Sequence, residues 1–253
     1  MKKFAMAVVA AASLGTAFAD SCANSFTGFY AGVQAGMNNT TGTYNIDGFL
    51  GRNSAAAPGN PGVSSTKATI GKRSFLGGIF AGYGMGVGSC AYVGAELYGN
   101  FGNTSQTIYD TSTISNVNDR GLKVSMNRKY NLGAKVRLGY TVSPQAMIFL
   151  GLGLEYAKME LKSENIMDQA AAPQTGVERF VKKSKGKISF APSIGMDMFV
   201  NKNVFIRGEY TYVMGLKQTV SPVMANTAGT KFTATVKTNL TQQRFTLGLG
   251  YKF

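Results

Sequence analysis

The chain contains no histidine, and that absence removes more chemistry than any other. Esterases, phospholipases and proteases that use imidazole as a general base are disfavoured, and a histidine metal site is impossible. Tryptophan is also absent, charged residues make up 15% of the 253 positions and glycine reaches 32, a composition that suits closely packed strands better than helices. Long apolar runs are missing as well. The longest, Phe4 to Ala12, has nine residues against the roughly 20 a spanning helix requires, so membrane insertion by helices is excluded. Acidic residues are few, 12 against 26 basic ones, for a formal charge of +14. In a cytoplasmic protein that imbalance would point to nucleic acid. Cysteine is scarce too: Cys22 and Cys90 form either one disulfide or two unpaired thiols.

The N-terminus supplies the compartment. Lys2 and Lys3 form a positive region, Phe4 to Ala12 an apolar core and Ala17-Phe18-Ala19 a small-x-small site, the layout of a secretory signal peptide. Residues 1–19 are read as that signal, cleaved before Asp20, and residues 20–253 as one domain. Removing Lys2 and Lys3 lowers the charge from +14 to +12. Ala19-Asp20-Ser21 precedes Cys22 where a lipoprotein signal has Leu-x-small, which argues against a lipid anchor. Export argues against a nucleic-acid partner and for phosphate-rich lipopolysaccharide or polyanionic host surfaces, and it favours the disulfide.

After the signal the recurring pattern is alternation with period two, in runs of about ten residues. Eight runs are predicted as strands: 28–38, 74–84, 91–101, 127–140, 146–157, 187–199, 204–213 and 244–253. The second has mixed faces and the weakest pattern. Connections alternate in length, short at Met85 to Cys90, Thr141 to Gln145 and Val200 to Asn203, long at Asn39 to Arg73, Gly102 to Met126, Lys158 to Gly186 and Met214 to Gln243. A compact soluble domain rarely carries four such connections. Some long-connection sequence, such as Thr230 to Lys237, is expected to extend the strands.

Which face points inward is decided by polarity. The more polar face carries Glu96, Lys135, Arg137, Glu155, Asp197, Arg207, Glu209 and Arg244, with glycine filling much of the rest. A soluble barrel would turn its apolar face inward; a barrel in lipid turns it outward and encloses the charges. Aromatic placement agrees with lipid. Phe29, Tyr83, Tyr140, Tyr251 and Phe253 lie near the short turns, while Phe75, Phe101, Tyr130, Tyr156, Phe190, Tyr212 and Phe245 lie near the long connections. At about 3.3 Å per residue and a tilt near 40°, these two girdles are about 25 Å apart. Backbone amides in hydrocarbon cannot bond to water, so only an edge-free barrel remains. The fold class is therefore all-β: an eight-stranded antiparallel up-and-down transmembrane β-barrel with short periplasmic turns and four long extracellular loops.

Several short motifs carry a resemblance in addition. They are Phe26-Thr-Gly-Phe-Tyr-Ala-Gly-Val-Gln-Ala-Gly36, Gly78-Ile-Phe-Ala-Gly-Tyr83, Val93-Gly-Ala-Glu96, Arg137-Leu-Gly-Tyr140, Arg207-Gly-Glu-Tyr210 and the last strand. In this order and context the chain resembles the OmpA-like eight-stranded outer-membrane barrel family, including its barrel-only porin-family and surface-antigen members. The resemblance implies localisation in the outer membrane of a Gram-negative cell. It also makes Thr246, Gly248, Tyr251 and Phe253 look like the signal read by barrel-assembly machinery. Members often carry a C-terminal peptidoglycan-binding domain; here the sequence stops at Phe253, so wall anchoring is not expected.

Gly86-Val-Gly-Ser-Cys-Ala91 fits a relaxed dinucleotide fingerprint, but a strand follows where a phosphate-binding helix is required. Glu96 and Glu155 could be paired catalytic carboxylates, yet basic lumen residues offer them a structural role. Eight strands leave room only for side chains, and sealed charges must be paired. Glu96, Glu155 and Glu209 are expected to form a network with Lys135, Arg137 and Arg207 that plugs the barrel. A Cys22–Cys90 bond would tie the N-terminus to the barrel base. The basic run Lys182, Lys183, Lys185 and Lys187 is placed in the third long loop, as solvated surface or as a contact for lipopolysaccharide phosphates or host polyanions. The functional expectation is a non-enzymatic surface scaffold without a cofactor, serving envelope integrity, adhesion or host interaction, with outer-membrane lipid, lipopolysaccharide, assembly machinery and host surface molecules as partners. The alternative is a small porin-like channel.

Overall fold

The computed structural model describes residues 25–50, 63–110, 121–166, 180–220, 223–225, 231–233 and 235–253. The proposed signal peptide and Cys22 lie outside them. The strands are β1 (Gly28–Leu50), β2 (Val63–Val87), β3 (Ala91–Asp110), β4 (Gly121–Ser143), β5 (Ala146–Ile166), β6 (Phe180–Phe199), β7 (Val204–Val220), β8 (Val223–Ala225), β9 (Lys231–Thr233) and β10 (Thr235–Lys252). Eight of them close a barrel in the order β1-β10-β7-β6-β5-β4-β3-β2, every neighbour antiparallel. β8 and β9 form a separate two-stranded hairpin between β7 and β10. Among the described residues no helix is long and apolar enough to cross a membrane.

Alternation sets the two faces as polarity requires. Val33, Ile79, Leu97, Val136, Leu152, Ile194 and Leu247 are exposed on the outside, while Gln34, Glu96, Arg137, Glu155, Ser193, Arg207 and Thr246 are buried within. The mixed run on β2 resolves the same way: Phe75, Ile79 and Tyr83 face out and Phe80 faces the lumen. Inward aromatics fit because glycine stands opposite them. Tyr30↔Gly82, Phe80↔Gly32, Tyr98↔Gly133, Phe149↔Gly195 and Phe205↔Gly250 are direct cross-strand pairs. A Cβ on Gly133 would lie 2.2 Å from Cζ of Tyr98, and one on Gly250 2.2 Å from Cζ of Phe205. Each ring therefore lies flat over a neighbouring strand that has no side chain there.

The short connections are built locally. Gly88 turns between β2 and β3 with φ of 65°, where an L side chain would be strained. Oδ1 of Asn201 accepts from the backbone N–H groups of Asn203 and Val204 at 3.0 and 2.7 Å, an Asx turn that leads into β7.

The strands run well beyond the predicted membrane band. β4, with 23 residues, stands roughly 58 Å tall at that rise and tilt. β1 continues to Leu50 and β2 starts at Val63, so much of the sequence assigned to long connections is strand. The basic run 182–187 likewise belongs to β6, which corrects its placement in a loop: above the membrane both strand faces meet water, and the alternation that marks a strand fades. Tyr130 is a second correction. It is half-buried, not on the outer girdle surface, because β4 bulges between Arg128 and Asn131 against β5; a bulge turns side chains away from the simple alternation.

Closure is complete only through the apolar band. β2 pairs with β3 up to Gly77↔Phe101, and β6 with β7 up to Ser193↔Thr211; among the described residues no pairing continues above these points. Meanwhile β1–β2, β1–β10, β3–β4, β4–β5 and β5–β6 stay paired much higher. The upper wall thus splits into two four-stranded sheets, β7-β10-β1-β2 and β3-β4-β5-β6. Both seams open at the level of the outer aromatics Phe75, Phe101, Phe190 and Tyr212, where water replaces hydrocarbon and a strand edge is again tolerated.

Candidate functional site

The lumen is filled in layers. At the short-turn end Phe26, Tyr30, Phe80, Tyr92, Met147, Phe149, Phe199 and Phe205 form a buried cluster. Phe26 precedes β1 and tucks beneath the wall, its ring 4.7 Å from that of Phe199. Nζ of Lys252 donates to the Ser25 carbonyl at 2.7 Å, and the Gly86 N–H donates to Oγ1 of Thr27 at 3.0 Å. This aromatic floor closes one mouth.

Above the floor sit the charges, and the structure brings all eight predicted lumen residues together. None of the eight exposes more than 6% of its surface, and among the described residues they are the only buried charges: four acids and four bases. Asp197 lies between two guanidiniums, 2.5 Å from Nη2 of Arg137 and 2.8 Å from Nε of Arg207. Glu96 accepts from Nη1 of Arg207 at 2.7 Å, lies 3.4 Å from Nη1 of Arg137 and 3.1 Å from Nζ of Lys135, and accepts the Tyr30 hydroxyl at 2.9 Å. Lys135 also donates to Glu209. Glu155, expected to join the same group, pairs instead with Arg244, which forks onto both its oxygens at 2.8 and 3.1 Å while the Tyr98 hydroxyl adds a bond of 3.2 Å.

Register and ring packing explain how these charges stay in place. Glu96↔Lys135 and Asp197↔Arg207 are direct cross-strand neighbours, whereas Arg244 on β10 reaches Glu155 on β5 across the lumen. The guanidinium of Arg137 lies 3.8 Å from the centre of the Phe149 ring, and that of Arg207 lies 4.1 Å from Phe80. Each arginine is held by carboxylates at its edge and a π-face beneath it. A neutral sum and multiple bonds per ion are the conditions under which charges out of water are tolerated.

Higher still, Nε2 of Gln34 donates to Oδ1 of Asn100 at 2.6 Å. Near the upper opening a small pocket is lined by Asn38, Ser74, Leu76, Gly102, Tyr130, Asn131 and Arg244. A second lies below among Phe26, Tyr92, Arg137, Asp197 and Lys252. The ion-paired layer separates them. No group of three or more Cys, Asp or Glu among the described residues could hold a metal ion, and Glu96 and Glu155 each end on basic partners, not on an open cleft.

The inward aromatics are what sequence reasoning missed. Tyr30, Phe80, Tyr92, Tyr98, Phe149 and Phe205 all fall on the polar face by parity, and the signal that could have identified them is the glycine opposite. The other predicted residues are placed as follows. Cys90 ends the turn before β3 and is disulfide-bonded; Cys22, the chain's other cysteine, lies outside the described residues. Thr246 is buried in the lumen and Gly248 faces it, while Tyr251 and Phe253 are exposed outside with their rings 5.2 Å apart. Lys182, Lys183, Lys185 and Lys187 lie on β6 opposite Lys162, Leu161, Met159 and Ala157 of β5.

Known proteins agree with this architecture. Residues 4–253 match the family model for the outer membrane protein beta-barrel domain. The 31 kDa outer-membrane immunogenic protein of Brucella melitensis is 27% identical over 188 residues, 74% of this chain and 70% of the relative, and the same protein of Brucella suis matches equally. Among solved structures, the outer membrane protein OprG from Pseudomonas aeruginosa superposes with a TM-score of 0.50 at 14% identity, covering 90% of this chain and 96% of that one. With its apolar exterior and enclosed charges, the chain belongs to the outer membrane protein beta-barrel domain family and resides in the outer membrane of a Gram-negative cell.

Proposed function

We propose that this barrel is a sealed, non-enzymatic scaffold that raises an extracellular rim above the membrane for envelope integrity, adhesion or contact with a host. The observation that carries the reading is the charge-neutral plug: every buried acid has a buried base, and aromatic rings close the layer below. A pathway for solute would need several of these pairs to part together, each parting leaving a buried charge without its partner. The tall strand extensions place polar surface outside the membrane, where recognition is usually carried. The Brucella relative is named as immunogenic, and a raised surface-exposed rim suits that description.

The competing reading is a small channel for ions or small solutes. Planar-bilayer recording of the refolded monomer separates the two. The scaffold reading expects no stable conductance; large, steady openings from the monomer would overturn it. Replacing the upper β5–β6 hairpin by a tight turn should leave the barrel folded and reduce binding to host cells.

A further inference from the structure

We infer that the free upper edge of β6 is a docking site for an extended acidic segment of another protein, which adds to the barrel wall as an extra strand. The inference rests on the scaffold reading only in placing this rim outside the membrane. β6 is paired to β5 along Phe180–Phe199 as far up as Glu164↔Phe180, but to β7 only over Ser193–Phe199. Residues 180–192 therefore pair along one edge of their backbone only, and since Ser189 and Ala191 are buried, the part open to a partner is 180–188. Proline stands at position 192, where the pairing ends; lacking an N–H, it cannot extend a ladder.

A free edge is a template for any extended chain, so chemistry must select the occupant. Along 180–192 the edge carries Lys182, Lys183, Lys185 and Lys187, and across the seam residues 212–220 of β7 add Lys217, with no acidic residue in either stretch. β5 faces the run with Lys158, Glu160, Lys162 and Glu164, and Nζ of Lys162 lies 3.5 Å from Glu160, so β5 adds no net charge and the basic excess belongs to β6. Two copies of this chain would bring lysine against lysine and repel. An acidic strand would gain backbone bonds and neutralise the run at once, with charge selecting the partner and main chain giving affinity.

The test uses the full chain refolded in lipid nanodiscs and three labelled ten-residue peptides of alternating Glu and Val: one unmodified, and two with alternate amides N-methylated in opposite phases. All three carry the same charge. Strand addition predicts that the unmodified peptide and one methylated phase bind, while the other phase is weakened by about tenfold or more, since it loses the bonds to the edge. A variant with Lys182, Lys183, Lys185 and Lys187 all changed to Gln, its barrel checked by gel shift, should lose binding of every peptide. Equal binding of the three would mean charge alone, as for a phosphorylated glycolipid, and would overturn the inference; so would absence of binding, or dimerisation through this edge. A barrel that conducts no current and binds no peptide would sink this inference and leave the scaffold reading standing.

Discussion

The Glu155–Arg244 pair offers a direct perturbation of the plug, because one guanidinium forks onto both oxygens of one carboxylate across the lumen. Changing Arg244 to Met leaves a fully buried carboxylate without its forked cation; changing Glu155 to Leu leaves a buried guanidinium without its forked carboxylate. Breaking a buried pair from either side costs about 3–5 kcal/mol, whereas replacing both members by apolar groups of similar volume is near neutral. The single variants are therefore expected to lose about 3–5 kcal/mol each and the double variant about 1 kcal/mol or less. The coupling between the two sites would then be about 5 kcal/mol or more, far above the few tenths expected of independent sites. Urea unfolding in lipid vesicles measures this, followed by far-UV circular dichroism and by the shift of the folded band on boiling, since the chain has no tryptophan to report. Single variants within 1 kcal/mol of the parent, or a double variant as unstable as the sum of the singles, would refute the reasoning.

Three further outcomes are expected. Gly133→Val places side-chain atoms where the Tyr98 ring lies, 2.2 Å from the Cβ position, and should cost about 1–3 kcal/mol; adding Tyr98→Ala should recover part of the loss in the same urea assay. Leu152→Arg puts a charge on the lipid face near mid-band and should destabilise the barrel in bilayers by about 2–4 kcal/mol; a change below 0.5 kcal/mol would mean that this face does not meet hydrocarbon. Cys22→Ser should release Cys90 as an alkylatable thiol and lower stability by about 4 kcal/mol through the unclosed loop, while the parent should show no alkylatable thiol until reduced.

Much of the membrane-embedded part was legible in the sequence. Within the band one face must be apolar, so alternation separates Leu150, Leu152 and Leu154 from Glu155 without knowledge of the neighbours. Pairing across the lumen was not legible in that way. Whether Glu155 meets Arg137 or Arg244 depends on the stagger of β5 against β10, three positions away in the wall with β7 and β6 between, and no single strand encodes it. Strand ends failed for another reason. Above the girdle, Thr40, Thr41, Gly42 and Thr43 carry no apolar face because water lies outside, so the pattern stopped while the pairing continued to Asp47↔Thr235. Tyr130 was misplaced by a bulge, and Gly215, with φ of 78°, sits at another where β7 slips against β10 between Leu240 and Gln242. Both are single-residue insertions that parity counting cannot detect.

The central claim is that the apolar face is outside and the charged face inside. Its most direct measurement places single cysteines, in a Cys22→Ser/Cys90→Ser background, at Val33, Ile79, Leu97, Val136, Leu152, Ile194, Ile206 and Leu247, one exposed position on each barrel strand. Each would carry a fluorescent label in vesicles made with lipids brominated mid-chain. The account predicts that all eight labels are quenched by the bromines and untouched by a water-soluble quencher. Quenching from water at several neighbouring strands, with none from the lipid chains, would contradict it.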